Sequence, residues 1–119
     1  MTRLPATGRE GDPPVWPLSR ANKRETELWG RLWRSPQAVV WERLGWTDVV
    51  ARYARLLVEA NGRDASASVL AEVRQLEDRL GLTPMSMLKL RWEVGEVEEE
   101  PEEAESGVID IRERIKAVE

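Results

Sequence analysis

Residues 27–46 read ELWGRLWRSPQAVVWERLGW and hold four of the chain's six tryptophans: Trp29, Trp33, Trp41 and Trp46. An indole buries more area than almost any other side chain and wants a partner for its N–H. Trp29 and Trp33 are four residues apart, and with Leu28 and Leu32 they fill one arc of a helical wheel. Pro36 bars that helix from continuing, because the residue before a proline is pushed out of the α region. Ser35 is then expected to cap a second, short helix with Pro36 at its first position, closing at Gly45. With no Phe and a single Tyr elsewhere, this stretch reads as the packing hub of a helical protein. The indoles could instead stack on the bases of a single strand. Their helical spacing beside leucines favours a core or an interface.

Working outward, helical signals repeat. The first helix is expected over residues 20–34. Thr47 is expected to cap a third helix whose Val49, Val50, Tyr53, Leu56, Leu57 and Ala60 follow the 3.6 period until Asn61-Gly62. Ser66 or Ser68 opens a fourth, with Val69, Val73, Leu76 and Leu80 as one apolar seam before Gly81. Thr83-Pro84 starts a fifth, with Met85, Leu88 and Trp92 on one side. The short link at residues 62–65 makes helices three and four antiparallel neighbours. No segment alternates with period two, except weakly at residues 108–111, so strands are not expected elsewhere.

The fold class that follows is an all-α, compact bundle of about five short helices. Ahead of it, residues 1–18 carry four prolines and two glycines, the composition of an extended, mobile arm. The helical domain covers residues 19–94. Residues 95–106 are dominated by glutamate with almost nothing to bury, which reads as a solvated, disordered linker. Residues 107–119 then place Val108, Ile111, Ile115 and Val118 at helical spacing. That piece is too short to hold a helix reliably by itself and is expected to fold against a partner.

At 119 residues the chain is one domain, only modestly able to stabilise itself, so oligomerisation would help it. It has no Cys and no His. This excludes disulfides, Cys- or His-based zinc sites and Cys or His catalysis. No phosphate-cradling Gly-rich motif, signal peptide or bilayer-length apolar segment occurs, and a soluble intracellular protein is expected. The glutamate run lacks the Asp and Gly spacing of a cation loop, so no metal and no cofactor are expected. Glu77-Asp78 beside Arg74 and Arg79 reads as surface ion pairing, and no residue set reads as an active site.

The net charge of −4 hides a gradient. Residues 1–35 have seven Arg and Lys against four Asp and Glu, residues 36–92 eight against seven, and residues 93–119 three against eleven. The ends are therefore suited to different partners. On the wheel of the first helix, Arg20, Lys23, Arg24, Arg31 and Arg34 fill the arc opposite the leucines and tryptophans, with only Glu27 among them. Such a face suits the phosphate backbone of duplex DNA. The plainer reading is a solvated face of an arginine-rich protein, paired locally by Glu27. Trp29, Trp33, Trp41, Trp46, Tyr53, Leu57, Val73, Leu76 and Leu80 are the expected core and subunit-packing residues.

The blocks ELWGRLWRSPQAVVWERLGWTDVVARYARLL and EVRQLEDRLGLTPMSMLKLRWEV resemble the small terminase subunits of tailed phages and prophages of actinobacteria, over roughly residues 13–94. SPQAVVWERLGW and RQLEDRLGLTP are the more specific strings. The resemblance implies a non-enzymatic protein of the host bacterial cytoplasm. It implies rings of several copies that bind the packaging-initiation site on phage double-stranded DNA and deliver it to the terminase large subunit, which holds the ATPase and nuclease. The tail segment would dock on that large subunit or on the portal. The chain departs from many such proteins in showing no helix-turn-helix signature, which points to backbone or shape readout. The alternative is a structural or adaptor protein of the phage head with protein partners only. A transcriptional regulator is disfavoured by the same missing motif.

Overall fold

The computed structural model describes residues 1–95, in the order β1 (Thr2–Pro5), α1 (Lys23–Leu32), α2 (Ala38–Leu44), α3 (Thr47–Ala60), α4 (Ala67–Arg79), α5 (Pro84–Leu90) and β2 (Trp92–Gly95). The expected acidic stretch and the amphipathic segment with Val108, Ile111, Ile115 and Val118 lie outside the described residues. Among the described residues the fold is mostly helical and has the five helices expected, but it also carries a two-stranded parallel sheet.

Local chemistry explains most helix boundaries. α1 is shorter than residues 20–34 because Asn22 starts it. The Asn22 side chain accepts from the Glu25 backbone N–H, and the Glu25 carboxylate accepts from the Asn22 N–H, both at 2.8 Å. Ser35 does not cap α2. Its hydroxyl instead donates back to the Leu32 carbonyl at 2.7 Å, closing the end of α1, and α2 begins only after a turn through Gln37. Gly45 ends α2 in the left-handed conformation, as its position suggested. Thr47 is the first residue of α3 rather than its cap, which is Trp46. Ser66 caps α4 by accepting from the Val69 N–H, and Thr83 caps α5 with Pro84 in its first turn.

α3 and α4 form an antiparallel hairpin. Residues near the link face one another, and farther along the Tyr53 hydroxyl donates to Glu77 Oε2 at 2.8 Å. Trp29, Trp33, Trp41, Tyr53, Val73, Leu76 and Leu80 are buried as expected, whereas Trp46 and Leu57 are half-buried at the margin. The tryptophans meet edge to face in a relay: Trp16–Trp29 at 5.0 Å between ring centroids, Trp29–Trp33 at 5.5 Å and Trp33–Trp41 at 5.7 Å. Trp41 donates to the Leu80 carbonyl at 3.0 Å, joining α2 to the end of α4. Trp33 is the exception, since its buried indole N–H has no partner among the described residues. The Arg9 guanidinium lies over its ring, 5.5 Å from the centroid.

Two expectations are corrected here. The seam Met85–Leu88–Trp92 does not exist, because Arg91 adopts a left-handed conformation (φ 61°) and turns the chain out of α5. Met85 and Leu88 are left exposed, while Trp92 enters β2 and is buried over Gly81, where a Cβ would overlap the indole ring. The second correction concerns the amino-terminal segment, which is extended but packed. β1 pairs with β2 in the register Thr2↔Trp92 to Pro5↔Gly95, and Leu4 is fully buried. A strand of four residues is too short to show alternation, which is why neither was legible. Beyond β1, Gly8 (φ 83°) abuts the Arg34 carbonyl so closely that a Cβ would collide with it. Arg9 bridges to Glu42 at 2.7 Å, and Trp29 donates to the Pro14 carbonyl at 2.8 Å. The prolines that suggested mobility instead hold an extended path across α1 and α2.

Replacing the fully buried Leu4 by Ala should therefore cost about 2–4 kcal/mol, read as a lower urea midpoint. An unpacked arm would leave the midpoint unchanged.

Candidate nucleic-acid interface

α1 sits between the amino-terminal segment on one side and α3 on the other. Its inward arc is Glu25, Leu28, Trp29 and the half-buried Leu32, with Trp33 just beyond the helix end. Its outward arc carries Lys23, Arg24, Glu27 and Arg31. Arg20 lies ahead of the Asn22 cap and Arg34 in the turn after the helix, so the five expected cations flank and cover α1 rather than all riding on it. All five are exposed, and none takes part in an ion pair among the described residues. Glu27 forms none either, so the local neutralisation that the plainer reading supposes is not made through a direct contact.

The position of this face is set by an ion pair that the sequence reading did not identify. Arg55, on α3, donates from Nε to Glu25 Oε2 at 2.6 Å and from a second nitrogen to Oε1 at 3.4 Å. The same guanidinium donates to the Ser19 hydroxyl and carbonyl at 2.9 and 2.7 Å and to the Arg20 carbonyl at 3.2 Å. Its plane also lies over Trp16, 5.3 Å from the ring centroid. One side chain thus fixes the entry to α1, the backbone of Arg20 and the first ring of the tryptophan relay. Glu25 is only 4% exposed, a burial that a carboxylate tolerates only when paired. The one local signal was Asn22-x-x-Glu25, a capping-box spacing; the partner thirty residues away had none.

The Arg55 hydrogen bonds hold the Glu25 carboxyl below its ordinary value against the opposing effect of burial, with help from the Asn22 backbone N–H. In the same way Arg9 lowers the exposed Glu42. The face itself has no cavity with catalytic chemistry. A shallow depression lined by Arg24, Glu27, Leu28, Arg31, Val58 and Asn61 offers two cations, one carboxylate, one amide and two apolar side chains. No group of three or more His, Cys, Asp or Glu among the described residues is placed to hold a metal ion. No helix among them is long and apolar enough to cross a membrane.

A family model described as phage terminase small subunit matches residues 2–119, essentially the whole chain. The chain belongs to the phage terminase small subunit family. No curated protein and no solved structure matches it. Membership places this terminase small subunit in phage DNA packaging, a process run together with a large subunit and the viral DNA. Small subunits of this kind are generally non-catalytic.

Because the native pKa of Glu25 is depressed, its contribution is fully present above the ordinary value near 4.5 and is lost as pH falls below it toward the lowered native value. Urea midpoints measured downward from about pH 5 should therefore fall with acidification. Glu25→Gln should make that acid limb shallower, leaving the part due to Glu42, and should lower the midpoint at neutral pH. An acid limb identical to wild type would remove the ion pair from the stability of α1.

Proposed function

We propose that this terminase small subunit binds double-stranded phage DNA at the packaging-initiation site through Arg20, Lys23, Arg24, Arg31 and Arg34 and delivers it to the large subunit. The observation that carries the reading is the outward side of α1 and its flanks: five exposed cations, none in an ion pair among the described residues, and a rigid backing of tryptophan packing and the Glu25–Arg55 pair. Phosphate contacts by Arg and Lys supply affinity without reading bases, and a helix already held in place makes such contacts with little further ordering of its backbone. Site preference then comes from DNA shape and from several copies acting together. The protein acts in the host cytoplasm.

A ring-shaped homo-oligomer is the form in which these faces would act together. It is supported by apolar surface that one copy leaves open. A groove between α3 and α4 is lined by Leu57, Ala60, Leu70, Ala71 and Val73 with Asn61, Arg74 and Glu77 at its polar side, and Leu70, Met85 and Leu88 are all substantially exposed. Residues 107–119, with Val108, Ile111, Ile115 and Val118 at helical spacing, are the segment proposed to engage the large subunit or portal.

Arg24→Glu, Arg31→Glu and Arg34→Glu together should weaken duplex binding by at least about 100-fold near 0.1 M salt and flatten its salt dependence, with the oligomer mass unchanged by light scattering. Unaltered affinity would take the DNA role away from this face and favour an adaptor with protein partners only. Removing residues 107–119 should spare duplex binding and reduce stimulation of the large subunit's ATPase. Full stimulation would place the large-subunit contact elsewhere.

A further inference from the structure

Each copy of the chain exposes a short apolar ridge and, elsewhere, a short apolar groove. The ridge is on α5. Met85 and Leu88 are three residues apart, so they stand side by side on one face of the helix, 65% and 67% exposed. Lys89 shares that side, four residues on from Met85, and the helix stops soon after at the left-handed Arg91. The groove lies between α3 and α4, with Leu57 and Ala60 on one wall and Leu70 and Ala71 on the other. Leu57 and Ala60 are also three residues apart, so ridge and wall each run about 4.5 Å along a helix axis. Past this apolar part the lining turns polar, at Arg74 and Glu77. Glu77 is half-buried and accepts from the Tyr53 hydroxyl on Oε2 at 2.8 Å. Its Oε1 has no partner among the described residues.

A chain cannot fill its own groove. Leu70 and Ala71 lie near the start of α4, whereas α5 follows its far end and is held there by packing against α4 and β2. From Leu70 to Arg79 is about 14 Å along the helix. The occupant that fits is the ridge of a second copy. The apolar lengths match, and the ridge's ammonium group would meet the groove's unpartnered carboxylate oxygen. A long amphipathic helix from another protein anchors at positions spread over two turns or more, and the charges of Arg74 and Glu77 cut this groove shorter than that. We propose that Met85 and Leu88 of one copy seat in the α3–α4 groove of the next, with Lys89 against Glu77, joining the copies head to tail. This rests on the reading of the protein as a ring-shaped homo-oligomer and says which faces make the ring. A head-to-tail contact uses two different surfaces, so each added copy leaves one of each open until the series closes on itself. Every copy then has the same sense about the axis, and the α1 cations of all copies are presented alike. Two-fold pairing would turn alternate copies over.

The test uses full-length protein without DNA. Leu70→Glu puts a charge in the groove and spares the ridge, and Leu88→Glu does the reverse. Both positions are exposed, so each variant should keep the helical circular dichroism of wild type. Ala71→Glu and Met85→Glu replace either one that does not. By light scattering, wild type should have the mass of more than two chains and each variant the mass of one. An equimolar mixture should have the mass of two, because the intact ridge of the Leu70→Glu chain finds the intact groove of the Leu88→Glu chain and nothing can add beyond them. Variants that keep the wild-type mass, or a mixture that stays at one chain, overturn the pairing. A wild type that stops at two chains overturns the head-to-tail order. In a second arm, Lys89→Glu should raise the concentration of half-assembly about tenfold at low salt, with the difference shrinking near about 0.5 M. An unchanged midpoint overturns the Lys89–Glu77 contact. A wild type with the mass of one chain would bring down the ring reading itself, whereas a ring that survives both leucine substitutions leaves that reading standing and refutes the faces assigned to it.

Discussion

The burial of the inner edge of α1 is the constraint on which the other features depend. Trp29 and Trp33 form the middle of the tryptophan relay, with Trp16 contributed by the amino-terminal segment and Trp41 by α2. A ten-residue helix is too short to persist alone in water, and α1 also contains Gly30. It is stable because three other parts of the chain converge on that edge: residues 8–16, α2, and α3 through Arg55. The outward cations follow from this. With its inner edge committed to aromatics and a capped carboxylate, the helix has only one direction left for its long charged side chains.

The charges divide by distance in sequence. Arg9, Arg55 and Arg3 are joined to Glu42, Glu25 and Glu93, partners 33, 30 and 90 residues away. Each pair ties one element to another. The arginines of α1 make no such tie, so their charge stays available to an external polyanion at little cost in desolvation. Arginine suits both settings, as a planar fork for carboxylates inside the fold and, as proposed for α1, for phosphates outside it. The difference is burial and neighbourhood, which no count of arginines would reveal.

What was legible in the sequence was whatever is local. Ser66, Thr83-Pro84 and Gly45 mark helix boundaries by chemistry acting within a few residues, and the 3.6-residue seams of α3 and α4 identify their buried sides. The inward turn of the indoles and the outward turn of the cations followed from the same period. The misreadings have two causes, local competition for a backbone group or conformation and contacts made across the chain. Ser35 had a nearer carbonyl to bond than the cap position predicted for it. Met85, Leu88 and Trp92 kept helical spacing on paper until one left-handed residue, Arg91, placed the last of them in a strand. The proline-rich start looked mobile because its partners, Trp92–Gly95, lie nearly the whole domain away. The Glu25–Arg55 pair, which orients the candidate interface, was likewise invisible as a pair.

The parallel pairing of Thr2–Pro5 with Trp92–Gly95 has a consequence for how the protein is made. The first residues to leave the ribosome are bonded to some of the last residues of the helical domain, so β1 has no strand to join until five helices have been synthesised. Local helices can form early, but this contact has about the greatest sequence separation the domain allows and closes late. Until it does, Leu4 is uncovered and Gly95 is not anchored beside the turn that follows α1. Fastening the two ends of the domain together is thus among the last steps in its folding.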